Sequence, residues 1–214
     1  MLFRSTTDCR LWFADQCGYL RRCRLREAPE CDLKGNYQEH NLQTAFVALK
    51  VLQNYAPLNI QHSTLNIKEG FAHVCTLTGL RGRWETLCDK PLTICDTGHN
   101  SHGIQYVARQ LKELPHPHIW IVFGMVNDKD TDVVMRLLPT GEKYHYIFTT
   151  PATQRARSAE EMLTLWGREG AVAIKSPEEA IRYAQTHAAD EDAIFIGGSN
   201  YLVGAAIKWY MVNE

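Results

Sequence analysis

Leu92-Thr93-Ile94-Cys95-Asp96-Thr97-Gly98-His99-Asn100 is a short apolar run that ends abruptly in a polar loop. Residues from His102 to Leu114 carry apolar side chains at helical spacing, and a second apolar run, Ile119 to Phe123, comes after them. A buried strand, a polar turn, a helix and another buried strand make the unit of a parallel sheet, since parallel neighbours need a crossover of a dozen or more residues. The unit repeats toward the carboxyl end. Strands are predicted at Tyr144 to Phe148, Val172 to Ile174 and Ala193 to Ile196, with helices at Thr131 to Leu138, Ala156 to Gly167, Pro177 to His187 and Asn200 to Val212. Right-handed crossovers of this length predict an α/β fold: a doubly wound, mostly parallel, Rossmann-like sheet.

Upstream the pattern changes. Cys9 to Phe13 and Tyr19 to Leu25 alternate weakly and predict edge-like strands, with Arg21, Arg22, Arg24 and Arg26 solvated rather than gathered on a phosphate. Asn41 to Gln53 puts Leu42, Ala45, Phe46, Leu49 and Leu52 on one helical stripe. A shorter helix is expected over Leu65 to Val74, with Thr64 as N-cap and Ile67, Phe71 and Val74 inward. Two strands and two helices make a poor core alone. Residues 1–80 are therefore expected to be the tail of one domain, and residues 81–214 a second domain.

Composition narrows the function. A formal charge of −1 gives no electrostatic case for nucleic acid or an anionic membrane as a bulk partner. The apolar runs are far shorter than the roughly 20 residues that span a bilayer. Met1 to Asp8 has no apolar stretch of signal-peptide length, so a cytoplasmic location is expected. All seven cysteines precede residue 96 and none forms a C-x-x-C pair, which argues against zinc and against a disulfide scaffold. Cys95, inside an apolar run, reads as a small buried hydrophobe. His116 and His118 flank Pro117 and, with no third ligand nearby, read as a surface turn and not a metal pair.

Ligands of open α/β sheets bind beyond the carboxyl ends of the strands. Three predicted strands end in polar loops: Asp96 to Asn100, Gly124 to Asp130, and Gly197 to Asn200. Taken singly, Asp96 or Asn100 could cap the next helix, Gly124 could be a turn residue, and Ser199 could cap the last helix. Three such loops on one edge favour a site. No G-x-G-x-x-G follows the first strand and no G-x-x-x-x-G-K-[ST] occurs in the sequence, so a triphosphate would have to be held by another domain.

Gly79-Leu80-Arg81-Gly82-Arg83-Trp84-Glu85 followed by Asp96-Thr97-Gly98-His99-Asn100 resembles the folylpolyglutamate synthase and dihydrofolate synthase family of the Mur ligase superfamily. Gly124 to Asp130 is similar to the family's G-x-x-x-D-K-D loop, Thr149 to Arg157 to its threonine and Arg-Ala segment, and Ile196 to Leu202 to its Gly-Ser segment. Leu33 to Asn41 is similar to the stretch that ends the family's central ATPase domain. The resemblance covers nearly the whole chain, in order.

It implies a Mur ligase C-terminal domain preceded by the remnant of an incomplete central ATP-binding domain. It also implies a ligase of folate biosynthesis and one-carbon metabolism, which uses ATP and Mg2+ to add L-glutamate to dihydropteroate, to tetrahydrofolate or other reduced folates, or to both, through an acyl phosphate. The family's P-loop, magnesium ligands and modified lysine would lie before Met1, so the chain alone is expected to be inactive. By the resemblance, Asp96 accepts hydrogen bonds from the ribose, Arg83 reaches the phosphates from the interdomain linker, and His99 contacts nucleotide or orders its loop. Those three form the expected catalytic set, and no residue is assigned to metal. Lys129, Ser199 and Asn100 are implied for glutamate, with Asp128 and Asp130 orienting Lys129 or remaining solvated. Tyr37, Gln38 and Asn41 are implied near the adenine or the domain junction. Two other readings stay open: a binding module without turnover, and a muramyl-type ligase of cell-wall peptide.

Overall fold

The computed structural model describes residues 10–14, 20–24, 30–55, 64–127 and 131–213. The chain divides into two compact units, Met1–Leu80 and Arg81–Glu214.

In the first unit, strands β1 (Arg10–Ala14) and β2 (Leu20–Arg24) form an antiparallel pair, with Trp12 opposite Arg22. The expected solvation of the arginines falls on side chains outside the described residues. Helix α1 (Gln38–Tyr55) carries the predicted stripe, and the stripe is open: Leu42 and Phe46 are half-buried, Ala45 is exposed, and Leu52 is 53% exposed. The second predicted helix is two. α2 (Thr64–Ala72) and α3 (Val74–Thr78) are separated at His73, and Thr64 is the first helical residue rather than the cap. The ring of Phe46 packs 6.3 Å from that of Phe71, joining α1 to α2. α3 stops at Gly79, whose left-handed φ of 68° lets its N–H close on the Cys75 carbonyl.

The second unit is a six-stranded sheet in the order β3-β4-β8-β5-β6-β7. Its strands are β3 (Glu85–Asp89), β4 (Leu92–Asp96), β5 (Ile119–Phe123), β6 (Tyr144–Phe148), β7 (Val172–Ala173) and β8 (Ala193–Gly197). All pairings are parallel except β3 with β4. The doubly wound, mostly parallel sheet is thus as read from the sequence, and β3 is the addition. Glu-Thr-Leu-Cys-Asp has one buried residue, Leu87, and no clear alternation, so an edge strand there left little mark.

Five helices cover the sheet: α4 (Ser101–Glu113), α5 (Thr131–Leu137), α6 (Ala159–Trp166), α7 (Pro177–His187) and α8 (Asn200–Val212). Two buried clusters follow. One joins Ile104, Val107 and Leu111 of α4 and Val134 of α5 to Ile121 and Phe123; the other joins Ile181 of α7 and Leu202 and Val203 of α8 to Val122 and Ile196. Alternate residues of one strand serve opposite faces, as the period of two requires. Cys95 is fully buried, as expected, and burial, reinforced by Glu85 and Asp96, pushes its thiol far above the ordinary range.

Helix α6 begins three residues later than its periodicity suggests. Ser158 is its N-cap, accepting from Glu161 N–H while the Glu161 carboxylate accepts from Ser158 N–H. Ala156 instead pairs with Val126 in an isolated antiparallel bridge. Among the described residues, no helix is long and apolar enough to cross a membrane.

Candidate functional site

Strand order decides what meets at the carboxyl edge. β8 lies between β4 and β5, and the register sets Asp96 and Phe123 on either side of Gly197. The loops after β4, β8 and β5 therefore leave the sheet side by side. Gly124 N–H donates to the Gly197 carbonyl at 3.2 Å. A Cβ on Gly198, where φ is 99°, would lie 2.8 Å from both the Gly124 carbonyl oxygen and the Phe123 ring, so only glycine permits the approach.

Asp96 is the organising group. It is fully buried; one oxygen accepts from Gly98 N–H at 2.7 Å and the other from Trp84 N–H at 2.8 Å. Thr97 N–H donates to the Gly82 carbonyl at 2.9 Å. The turn before β3 and the loop after β4 are thereby tied together through one carboxylate. Arg83, half-buried on that turn, has no hydrogen bond or ion pair to any described residue. His99, exposed on the loop, holds the Thr97 carbonyl through Nδ1 at 2.9 Å, which orients the ring.

Ser199 and Asn100 are both helix caps. Asn100 Oδ1 accepts from Gly103 N–H at 2.8 Å, and the buried Ser199 hydroxyl accepts from Leu202 N–H at 3.1 Å. Capping occupies an acceptor in each and leaves the Asn100 amide protons and the Ser199 hydroxyl proton as donors, the polarity a carboxylate needs. Lys129, with Asp128 and Asp130, lies outside the described residues. Gln38 and Asn41 belong to the first unit: Gln38 is buried at the start of α1, and Asn41 Nδ2 donates to its Oε1 at 3.0 Å.

A clamp absent from the expected site joins the loops after β5 and β6. Arg157 N–H donates to the Met125 carbonyl, Asn127 N–H to the Arg155 carbonyl, and the Arg157 guanidinium to Asn127 Oδ1 at 3.1 Å. Asn127 and Arg157 lie in segments the resemblance covers, but 30 residues separate them and nothing in the spacing pairs them. Among the described residues, no group of three His, Cys, Asp or Glu could hold a metal ion.

A mostly parallel α/β unit whose polar loops meet at its carboxyl edge is the architecture of the Mur ligase, glutamate ligase domain, whose family model matches residues 82–200; the chain belongs to that family. Its relatives are folylpolyglutamate and dihydrofolate synthases, of which it covers the carboxyl-terminal portion. It is 31% identical to folylpolyglutamate synthase of Lacticaseibacillus casei over 82% of this chain and 39% of that protein. It is 26% identical to dihydrofolate synthase/folylpolyglutamate synthase of Escherichia coli over 95% of this chain and 43% of that protein. Mycobacterium tuberculosis folylpolyglutamate synthase complexed with ADP has a similar fold, with a TM-score of 0.70 at 22% identity over 84% of this chain and 41% of that one. E. coli FolC in complex with DHPP and ADP superposes with a TM-score of 0.69 at 23% identity, over 98% of this chain and 45% of that one. The chain spans about two fifths of the length of these two curated relatives.

Proposed function

We propose that this chain is the carboxyl-terminal part of an ATP-dependent ligase that adds L-glutamate to dihydropteroate, to reduced folates, or to both. The substrate carboxylate takes the γ-phosphoryl group of ATP to give an acyl phosphate and ADP, and the glutamate amine then displaces inorganic phosphate. Activation is needed because a carboxylate is a poor electrophile, and the acyl phosphate must be kept from water.

The observation that carries this reading is the Asp96 carboxylate, which binds the Arg83 turn to the His99 loop through Trp84 and Gly98 N–H. Arg83 brings a guanidinium, unpaired among the described residues, that suits phosphate oxygens as charge develops on them. His99 contacts the nucleotide, whereas Asp96, expected on the ribose but fully buried with both oxygens accepting from backbone N–H groups, acts by holding the two loops in place. Lys129, Ser199 and Asn100 supply an ammonium, a hydroxyl and an amide for the glutamate carboxylates. Residues 1–80 are the end of a central ATP-binding domain, which holds the Mg2+ and for which Gln38 and Asn41 are the candidate nucleotide contacts. The chain by itself is then inactive.

Support comes from the family and from its relatives: solved structures of similar fold contain ADP and DHPP, or Mn, AMPPNP and L-glutamate. Isothermal titration of ADP and of L-glutamate into the chain, beside Arg83→Ala and Lys129→Ala, tests it. ADP binding lost in the first variant and glutamate binding lost in the second are expected. Glutamate-dependent ADP formation by the chain alone would refute the claim of inactivity.

A further inference from the structure

The geometry assigns Glu85 as a positioning residue for Arg83, an inference that rests on the phosphate-facing role proposed for that arginine. Arg83 lies between two residues with left-handed backbone, Gly82 at φ 74° and Trp84 at φ 49°. Glycine adopts this region freely, whereas a bulky L-residue such as tryptophan enters it only where its surroundings hold it there. Three groups do so at Trp84. Its N–H is held by Asp96, its ring packs 5.8 Å from that of Phe195, and the residue that follows it is Glu85.

Glu85 closes the other end of the turn. Its Oε2 accepts from Gly82 N–H at 2.6 Å and its Oε1 accepts from Arg81 Nε at 2.7 Å. Two consequences follow. The backbone on both sides of Arg83 is tied to a carboxylate, Glu85 before it and Asp96 after it, so the residue is fixed before any ligand arrives and loses less freedom on binding. The negative charge of Glu85 is also spent on Arg81, which leaves Arg83 as the cation of this turn without an ion-pair partner among the described residues. Gly82 has no slack of its own, because a Cβ there would lie 2.7 Å from Val203 Cγ1 and 3.0 Å from Thr97 Cγ2.

The test compares Glu85→Ala, Glu85→Gln, Arg83→Ala and the Glu85→Ala/Arg83→Ala pair in the whole chain, by ADP titration and by 15N relaxation of the Arg83 amide. Glu85→Ala is expected to weaken ADP about tenfold, close to Arg83→Ala, with the pair no weaker than Arg83→Ala alone, since both remove one interaction. Glu85→Gln, whose amide oxygen still accepts from Gly82 N–H, is expected to recover most of the affinity. The Arg83 order parameter should start near the rigid value of about 0.85, fall in Glu85→Ala and return in Glu85→Gln. Wild-type ADP affinity in Glu85→Ala beside a weakened Arg83→Ala would overturn the positioning role and leave the ligase reading standing. Absence of ADP binding by the wild-type chain would count against the ligase reading, and the order parameter would still decide the inference: an unchanged value in Glu85→Ala overturns it.

Discussion

Helices α1 and α4 are both amphipathic, and they end up differently. In α4 the apolar positions Ile104, Val107 and Leu111 are fully buried against the sheet. In α1 the corresponding stripe leaves Leu49 at the margin of exposure and Leu52 more than half exposed. A helical stripe is only a demand for a partner surface, and the sheet supplies one to α4, whereas Leu49 and Leu52 of α1 stay open.

The largest expected effect tests that contrast directly. Phe123→Ala, at the end of the inner strand β5 with no exposed surface, should cost about 3–5 kcal/mol in urea unfolding, from lost transfer energy and a residual cavity. Leu52→Ala should stay within about 0.5 kcal/mol. A comparable loss at Leu52 would show that the α1 stripe is covered in solution and would break the comparison.

A second test uses one glycine from each unit. Gly79 and Gly82 both have left-handed φ, 68° and 74°, but a Cβ meets nothing within 4 Å at Gly79 and meets Val203 and Thr97 at Gly82. Alanine at Gly79 should cost about 1 kcal/mol for the backbone alone, while alanine at Gly82 should cost roughly twice that or more and lower ADP affinity as well. Equal costs would mean that the Gly82 turn is not packed as described.

The smallest effect concerns pH. His145 sits under the Trp120 ring at 4.5 Å and meets His118 ring to ring, Nε2 to Nδ1, at 3.0 Å. Burial first, and then His118, lower its pKa below 6.5, with Asp192 opposing. The unfolded chain therefore binds the proton more readily. The contribution of neutral His145 is complete above about pH 6.5 and is lost as pH falls below it. Thermal melts should show a steeper fall in Tm between about pH 7 and 5.5 for the wild type than for His145→Gln. Parallel curves would remove His145 from the account.

Much of the second unit was legible in the sequence because a buried parallel strand must be apolar along its length. Ile119 to Phe123 and Ala193 to Ile196 have no other reading once helices of crossover length separate them. The edge strand β3, half-buried and paired on one side only, obeys no such rule and was missed. The late start of α6 had a local signal, the Ser158 and Glu161 capping box, which outweighed the apolar periodicity reaching back to Ala156. The break between α2 and α3 at His73 had no signal that periodicity registers.

For the site, the residue types came from the sequence and the roles came from contacts. Asp96, His99, Asn100 and Ser199 stand out by following buried strands, and Arg83 by the Gly-Arg-Trp-Glu run that carries the resemblance. The resemblance gives Glu85 no role of its own, and nothing in the spacing pairs Asn127 with Arg157.

The sequence by itself determined the alternation of strands and helices, the polar strand ends and the family, because periodicity and short motifs are local properties of the chain. Only the tertiary structure decided that β8 enters between β4 and β5, that Asp96 joins two segments 12 residues apart, and that Arg83 is displayed between two left-handed residues. Those outcomes depend on which surfaces pack together, and hydrogen bonds between distant backbone groups leave no repeat in the sequence to read.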